Sequence, residues 1–372
     1  MSCGLHLSHI HLHHNKNWFR DFSNAQSHQS GWTASITINP AKKFPSEHRR
    51  GKFVQSGAEA NVETCEVEIL KSLPQHESII SILAYLPKSS TLQGDATVFD
   101  FCPFGDLFEL GKDMWQKSRE TFSEECIWSI SSQLSAAIAF LHEGIACRKP
   151  KDSLNWRPIV HRDIKLEHVF VMSLGEKQKL SEITIKLGDF GLSAYYDPSQ
   201  ARMPGWFGTP MMWPPEQTWE GREARPAGEV WATGSVIHEI SHGFPSVVNP
   251  QLTKSLLKDK TGYMHSMWEQ ELQKRFWEAM SERKPLPINL DSHEHDLRRI
   301  RPTPKYSNEL NGCMLAALDM SKEKRPTAGE LTAMVGEHHA AFLFHKMKVE
   351  SDGLIAGSEA LLLEETGLEA LT

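Results

Sequence analysis

Two short segments of this sequence place carboxylates beside basic side chains. In the first, Asp163 is followed by Lys165 and His168, and in the second, Asp189 stands directly before Phe190. A carboxylate can accept a proton from an attacking hydroxyl, and carboxylate oxygens are ligands that Mg²⁺ prefers. A nearby lysine can neutralise the charge of an anion. These residue types therefore suit the metal-assisted transfer of an anionic group.

The order of motifs around these segments resembles the eukaryotic protein kinases. Residues 161–163 (HRD) resemble the catalytic loop, and residues 189–191 (DFG) resemble the metal-binding loop. Residues 208–210 (GTP) and 214–216 (PPE) resemble the end of the activation segment. One tripeptide alone could be a chance match on a surface loop, but four motifs in the family's order are a much stronger signal. The resemblance implies an α+β, bilobal protein-kinase-like fold, with a small strand-rich N-lobe and a large helical C-lobe.

The resemblance assigns a role to each of these residues. Asp163 becomes the carboxylate that orients the substrate hydroxyl and accepts its proton, and Lys165 neutralises the transferred phosphoryl group. A lysine at this position indicates Ser/Thr specificity. Asp189 becomes a Mg²⁺ ligand, while His168 occupies the place of an asparagine that holds a second metal ion. The structural and regulatory positions implied by the family are His161, Arg162, Phe190, Gly191, Thr209, Glu216, Glu229 and Arg325.

Some of these positions carry specific expectations. Glu216 and Arg325 resemble a pair that forms a buried salt bridge, and Glu229 stands where the family has an aspartate that ties down the catalytic loop. Arg162 matches an arginine that commonly pairs with a phosphate on the activation segment. Thr209 is more often structural in its motif than phosphorylated. The candidate phosphorylation sites are Ser193, Tyr195, Tyr196, Ser199 and Thr209.

The resemblance also implies a set of nucleotide-binding residues, namely Glu66, Phe99, Asp100, Cys102, Asp106 and Phe170. Glu66 lies in a stretch of helical spacing, residues 61–73, and matches the glutamate that pairs with the ATP-anchoring lysine. Backbone groups of Asp100 and Cys102 would bond adenine, and Asp106 would reach the ribose. The two phenylalanines would be gatekeeper and floor of the adenine pocket, although core packing explains each of them equally well.

The sequence departs from the family pattern in three ways. Imidazole, here from His168, is a poor ligand for Mg²⁺ but a good one for Zn²⁺ and a tolerable one for Mn²⁺. A phosphate-cradling GxGxxG motif is missing, because the only early glycines are Gly4, Gly31, Gly51 and Gly57. Aligning residues 34–44 with the strand that usually carries the ATP-anchoring lysine puts Thr37 in its place. The nearby lysines are Lys42, Lys43 and Lys52.

Periodicity predicts the elements that position these motifs. Buried strands are expected at 79–83 and 96–101, and a capping box at 121–124 should open a long helix. Its predicted core face is Ile127, Ile130, Leu134, Ile138 and Leu141. Residues 169–171 and 183–187 should pair as strands. Further helices are predicted at 229–240, 310–318 and 327–339.

Composition bounds the class of protein. The net charge of −7 gives no support for nucleic-acid binding. No apolar stretch approaches the roughly 20 residues that span a bilayer. Six cysteines without a CxxC pair favour a reducing, intracellular setting, in cytoplasm or nucleus. The predicted organisation is a poorly patterned segment 1–45, an incomplete small lobe 46–101, a large lobe 102–345 with an insertion at about 244–306, and an acidic tail 346–372.

The N-terminal segment admits two interpretations. A truncated or mis-spliced reading frame would remove the glycine loop and leave an unpatterned leader. Alternatively, alternating histidines in this leader could bind a metal, although an accidental cluster is the stronger interpretation. The histidines are His6, His9, His11, His13 and His14.

These observations predict an ATP- and Mg²⁺-dependent Ser/Thr protein kinase, with Mn²⁺ as an alternative ion. Its partners would be protein substrates, with neither nucleic acid nor membrane, and its oligomeric state is open. The missing glycine loop and Thr37 favour an alternative, a pseudokinase that acts as a scaffold or interaction module. A third hypothesis makes the acidic, leucine-bearing tail a docking or autoinhibitory helix, against the simpler interpretation of a frayed terminus.

Overall fold

A computed structural model gives the positions of most of the chain. The residues that it describes are 26–28, 31–37, 48–54, 65–86, 95–145, 156–199, 207–217, 224–261, 270–291 and 303–366. The chain divides into two compact units. The first contains residues 1–62 and 82–101, and the second contains residues 63–81 and 102–372.

The first unit contains a five-stranded antiparallel sheet with the strand order β1-β2-β3-β5-β4. Its strands are β1 (Gln26–His28), β2 (Gly31–Thr37), β3 (His48–Val54), β4 (Ile82–Leu86) and β5 (Asp95–Phe99). The strand predicted at 96–101 is therefore present, shifted by one to two residues. The strand predicted at 79–83 is misplaced, because β4 begins only at Ile82 and Leu83 is 42% exposed.

The second unit is mainly helical. Its helices are α1 (Cys65–Ser72), α2 (Leu107–Ser118), α3 (Glu124–Glu143), α4 (Pro226–His242), α5 (Pro250–Thr261), α6 (Gln270–Met280), α7 (Asn308–Ala317) and α8 (Ala328–Thr366). Its strands are β6 (Ile159–Val160), β7 (Val169–Ser173), β8 (Thr184–Leu187) and β9 (Ala194–Tyr195). Strand β7 pairs antiparallel with β8, which confirms the predicted pairing, and β6 pairs antiparallel with β9.

Helix α3 lies at the centre of the core of this unit. The five apolar residues predicted as its buried face have no exposed surface. The predicted capping box is wrong in its register, because Ser123 rather than Thr121 caps the helix and accepts a hydrogen bond from the Cys126 amide. Glu124 instead accepts hydrogen bonds from the Trp128 indole and the Ser307 amide. One contact within the helix and one tertiary contact thus use the carboxylate that the capping box would have needed.

Helix α4 is buried on nearly all sides and packs against α3 and α7. Pro226 occupies its first turn, where a missing N–H costs nothing. The helix includes the predicted 229–240 segment and brings Glu229 into the interior. Burial on nearly all sides is expected of a helix at the centre of a large domain.

The stretch predicted as a surface insertion, 244–306, contributes to the core. It contains α5 and α6, and Phe276, Trp277 and Ile288 are buried. Because these large apolar side chains are removed from water, this part of the chain stabilises the second unit.

Helix α8 is far longer than the predicted 327–339 segment. It runs along α3, where the His339 ring shares a hydrogen bond with the Ser132 hydroxyl (2.9 Å) and stacks on Trp128. The opposite side is apolar and exposed, with Phe344 at 67%. The first part of the predicted acidic tail is therefore helical, as far as Thr366.

Candidate active site

The backbone of the catalytic loop is held by a buried glutamate. Arg162 has a positive φ of 69°, which is uncommon for a residue with a Cβ atom. Its amide donates to Glu229 Oε1 (2.6 Å), and the His142 ring bonds Glu229 Oε2 (2.8 Å). Glu229 thus connects the loop with helices α3 and α4.

The His161 ring has its protonation fixed by its neighbours. Nε2 donates to the Gly188 carbonyl (3.0 Å), while Nδ1 accepts from the Asp163 amide (3.4 Å). The ring packs edge-on against Phe190, and both side chains are fully buried. Burial lowers the pKa of His161, although the Glu229 carboxylate raises it. A neutral imidazole therefore joins the catalytic loop to the metal-binding loop.

The two carboxylate oxygens of Asp163 have different surroundings. Oδ1 accepts a hydrogen bond from the Thr209 hydroxyl (2.8 Å). Oδ2 lies 3.6 Å from Lys165 Nζ and 3.5 Å from His168 Nδ1. One oxygen is thereby oriented by the protein, while the other faces cationic or hydrogen-bonding groups.

His168 lies between the two carboxylates that the sequence singled out. Its Nδ1 is 2.8 Å from the Asp163 carbonyl oxygen, and its Nε2 is 3.3 Å from Asp189 Oδ2. The imidazole side chain is 12% exposed and the Asp189 side chain 27% exposed. Asp189 has left-handed backbone angles (φ 61°, ψ 68°). Asp163 and Asp189 therefore converge on a common histidine.

Glu66 of α1 also reaches this region. Its carboxylate is buried and accepts a hydrogen bond from the Phe190 amide (3.2 Å). The Phe190 side chain points into the core beside His161. The helix predicted around Glu66 therefore supports the backbone of the metal-binding loop.

The residues predicted around the hinge divide between the two units. Phe99 and Asp100 belong to the first unit, and Phe99 is buried in strand β5. In the second unit, residues 104–106 run beside β7, with the Val171 amide donating to the Gly105 carbonyl (2.8 Å).

Cys102, Asp106 and Phe170 lie together in the second unit. The Cys102 thiol is 3.2 Å from the Met172 sulfur, and Asp106 pairs with Phe170 through an isolated bridge. The Asp106 carboxylate caps α2 by accepting from the Glu109 amide (2.9 Å). A Cβ on Gly188 would meet the Phe170 ring at 2.7 Å, so Gly188 lets this ring reach the residue before Asp189.

The proposed phosphorylation sites differ in accessibility. Ser193 is buried and donates to the His161 carbonyl, whereas Ser199 is exposed. The Tyr195 and Ser72 hydroxyls share a hydrogen bond (2.8 Å). The Arg162 guanidinium donates to the Leu192 carbonyl and lies 4.7 Å from the centre of the Phe207 ring.

Two arginines hold the 207–217 segment, which contains Thr209. Arg283 donates to the carbonyls of Pro210 (2.6 Å) and Trp213 (2.9 Å), and Arg275 donates to that of Gly208 (3.0 Å). Burial lowers the pKa of Arg283 to about 10. Sequence reasoning missed both arginines, because each looks like an ordinary surface charge in a polar stretch.

The same segment is tied down at its far end. Arg325 donates to both Glu216 oxygens, at 2.7 and 2.6 Å, and also to the Asp319 and Ala227 carbonyls. The Arg325 side chain has no exposed surface. Gly208 has φ 85°, and a Cβ there would lie 2.1 Å from the Arg162 carbonyl oxygen. The segment can therefore approach the catalytic loop only through a glycine.

Several predicted positions lie outside the described residues: His6, His9, His11, His13, His14, Lys42 and Lys43. Within the described residues, no cluster of three or more His, Cys, Asp or Glu side chains could hold a metal ion by itself. None of the helices in the same part of the chain is long and apolar enough to cross a bilayer.

Comparison with known proteins places the chain in a family. The sequence profile of the protein kinase domain matches residues 41–335, which is most of the chain. The chain belongs to the protein kinase family. The profile match and the DFG, HRD and PPE motifs agree on this assignment.

Curated relatives of this kinase-family chain include Ser/Thr kinases from distant organisms. It is 25% identical over 233 residues to serine/threonine-protein kinase Nek1 of Toxoplasma gondii (62% of this chain, 12% of the relative). It is 30% identical over 214 residues to the probable serine/threonine-protein kinase nek2 of Dictyostelium discoideum (56% and 45%). Serine/threonine-protein kinase 33 of Bos taurus is 28% identical over 210 residues (55% and 38%). The chain spans less than half the length of these relatives. The predicted resemblance to a Ser/Thr kinase domain is confirmed.

Proposed function

We propose that this chain transfers the γ-phosphate of ATP to serine and threonine hydroxyls of protein substrates. The observation that carries this proposal is the arrangement of Asp163. Thr209 holds one oxygen of its carboxylate, and the other oxygen faces Lys165. This geometry suits a group that orients a hydroxyl and accepts its proton.

The residues divide the reaction between them. As the substrate oxygen bonds to the γ-phosphorus and the bond to ADP breaks, the hydroxyl proton passes to Asp163. Lys165 neutralises charge on the transferred group. Asp189 would hold a divalent ion, which when bound would supply positive charge to neutralise the phosphates. The proposed ions are Mg²⁺ and Mn²⁺.

The nucleotide would be bound by the predicted set Glu66, Phe99, Asp100, Cys102, Asp106 and Phe170. To this set we add Lys52. Kinases carry the ATP-anchoring lysine on their third strand, and the third strand within the described residues, β3, contains Lys52 opposite Thr97 of β5. The alignment that put Thr37 in this place is not supported by the sheet, because β2 does not pair with β5.

Phosphate incorporation from ATP into a generic basic protein, measured with Mg²⁺ and with Mn²⁺, tests the proposal. We expect Asp163→Asn to lower the rate by about 10²–10⁴-fold, the usual contribution of general acid–base catalysis. Asp113→Asn is the matched control, because Asp113 is an exposed residue of α2 paired only with Lys117 in the described structure. Absence of incorporation by the unmodified protein with either ion would contradict the proposal.

A second candidate function is a pseudokinase that presents interaction surfaces. The observation that favours it is Gly31, which is the only glycine in the β1–β2 hairpin (26–37), so few backbone amides there can approach a phosphate. A nucleotide that binds the folded protein stabilises it by RT ln(1 + L/Kd), where L is the free nucleotide concentration, so the melting temperature rises with the ATP concentration. An unchanged melting temperature with ATP and either ion would favour the pseudokinase.

A further inference from the structure

We propose that His168 and Asp189 form the protein half of a metal site that selects a first-row transition ion such as Mn²⁺ over Mg²⁺. The inference rests on the proposed function, because nucleotide phosphates would supply the remaining ligands. It is based on the contacts of the His168 ring nitrogens with Asp163 and Asp189. The sequence motif alone shows only that a histidine stands in the place of an asparagine.

The hydrogen bond of His168 fixes which nitrogen can bind a metal. A backbone carbonyl only accepts hydrogen bonds, so the 2.8 Å contact between Nδ1 and the Asp163 carbonyl places the ring proton on Nδ1. In the neutral ring, the lone pair is then on Nε2. Metal-binding histidines characteristically donate their other N–H to a carbonyl or carboxylate in this way.

The distance between Nε2 and Asp189 Oδ2 suits a shared ion. Both imidazole nitrogen and carboxylate oxygen bind Zn²⁺-sized ions at about 2.0–2.2 Å, so two such ligands on one ion lie roughly 3 Å apart. The observed separation is 3.3 Å. A divalent ion could therefore bind both atoms with little movement of either side chain.

The donor set determines the selectivity. Mg²⁺ prefers oxygen ligands and keeps several waters, whereas imidazole suits Zn²⁺, Fe²⁺ and Ni²⁺ well and Mn²⁺ tolerably. An asparagine at this position would offer an oxygen, and His168 offers a nitrogen instead. Since no group of three or more His, Cys, Asp or Glu side chains in the described residues could hold a metal ion, we expect the ion to bind tightly only together with ATP.

The test measures metal binding directly. Full-length protein with ATP is titrated with Mn²⁺, free Mn²⁺ is followed by electron paramagnetic resonance, and the same titration of ATP alone is subtracted to leave the Mn²⁺ that is bound with the protein. Mg²⁺ is then added until half of the bound Mn²⁺ is released. The ratio of Mg²⁺ to Mn²⁺ at which half of the bound Mn²⁺ is released is the Mg²⁺ excess. We expect His168→Asn to lower this excess by about tenfold or more, which is the size of effect typical for residues around a metal.

The controls distinguish metal binding by His168 and Asp189 from metal binding by other histidines of the chain. His345→Asn removes an exposed histidine of α8 and should leave the Mg²⁺ excess unchanged. All variants retain the N-terminal histidines, so any binding there cancels in the comparison. Asp189→Asn removes the second ligand and should abolish the ATP-dependent Mn²⁺ binding. Melting curves without metal verify that each variant is folded.

Two results would overturn the inference. The first is that the unmodified protein and His168→Asn require the same Mg²⁺ excess. That result is expected if the His168 ring is a cation that pairs with Asp189 and does not bind the metal ion. The other is an absence of ATP-dependent Mn²⁺ binding. A rise in melting temperature with ATP in the presence of EDTA would show, in that case, that nucleotide binding itself still holds.

Discussion

The two loops that contain Asp163 and Asp189 differ from the 207–217 segment in how their charges are satisfied. Two buried arginines from outside the 207–217 segment bind it. Arg283 donates hydrogen bonds to backbone carbonyls of the segment, and Arg325 donates to the Glu216 carboxylate. Around His168, the carboxylates are partly exposed and gather about one imidazole. The protein alone completes the first arrangement, whereas the second is suited to completion by a metal and phosphates.

The largest effect should come from breaking the Glu216–Arg325 pair. Arg325→Met leaves the Glu216 carboxylate without its bidentate partner, and removing one member of a buried pair typically costs about 3–5 kcal/mol. Chemical denaturation gives the free energy of unfolding. Lys117→Met, in the exposed pair with Asp113, should cost at most about 1 kcal/mol. Equal losses in the two variants would remove the distinction between the two regions.

A smaller effect is expected at Arg283. Lys in its place keeps the charge but cannot bond Pro210 and Trp213 together, and a lost hydrogen bond to a charged group costs about 1.5–3 kcal/mol. Because this segment carries Thr209, the KM for a protein substrate should rise more than the KM for ATP. Steady-state kinetics of Arg283→Lys measures both. A rise confined to ATP would contradict a role in holding the segment.

Lys52→Met tests whether Lys52 takes part in the proposed nucleotide site. If Lys52 binds ATP phosphates, its loss should weaken ATP binding by about tenfold, equivalent to roughly 1.4 kcal/mol. The melting-temperature shift at a series of ATP concentrations gives this affinity. Lys117→Met serves again as the control for loss of a lysine. Unchanged ATP affinity would direct the search to Lys42 or Lys43.

The smallest effect concerns pH. Burial lowers the pKa of His339, although Glu125 raises it. The unfolded chain therefore binds more protons near the ordinary histidine pKa of about 6.5, so stability is present above this pH and lost below it. His339→Gln should lessen the fall in urea midpoint between about pH 7.5 and about pH 5.5. The remaining fall would belong to His76 and His161, whose pKa values burial also lowers.

Local patterns predicted the elements with strong periodicity. The core face of α3, the pairing of β7 with β8 and helix α4 all follow from apolar spacing, because burial of one side imposes that spacing. Element ends were less predictable. Ser123 rather than Thr121 caps α3 because Glu124 forms a tertiary hydrogen bond instead of closing a capping box. The length of α8 was missed since its continuation is supported by contacts with α3, between Phe342 and Trp128 and between Lys346 and Glu125.

The candidate site was predicted as a set of residues but not as an arrangement. The sequence could name Asp163, His168 and Asp189 through their motif order. It could not show that one imidazole contacts both carboxylates, or that Glu229 bonds both the Arg162 amide and His142.

By itself, the sequence determined the family and the helices and strands with regular apolar spacing. These depend on motifs and on periodicities that extend over a few neighbouring residues. Only the tertiary structure decided the orientation of His168, the two partners of Glu229 and the burial of Arg283. The contacts of Glu229 and Arg283 depend on hydrogen bonds between residues far apart in the chain, such as Pro210 and Arg283 with a separation of 73 positions. Such bonds leave no periodic trace in the sequence, because their partners meet only after the chain has folded.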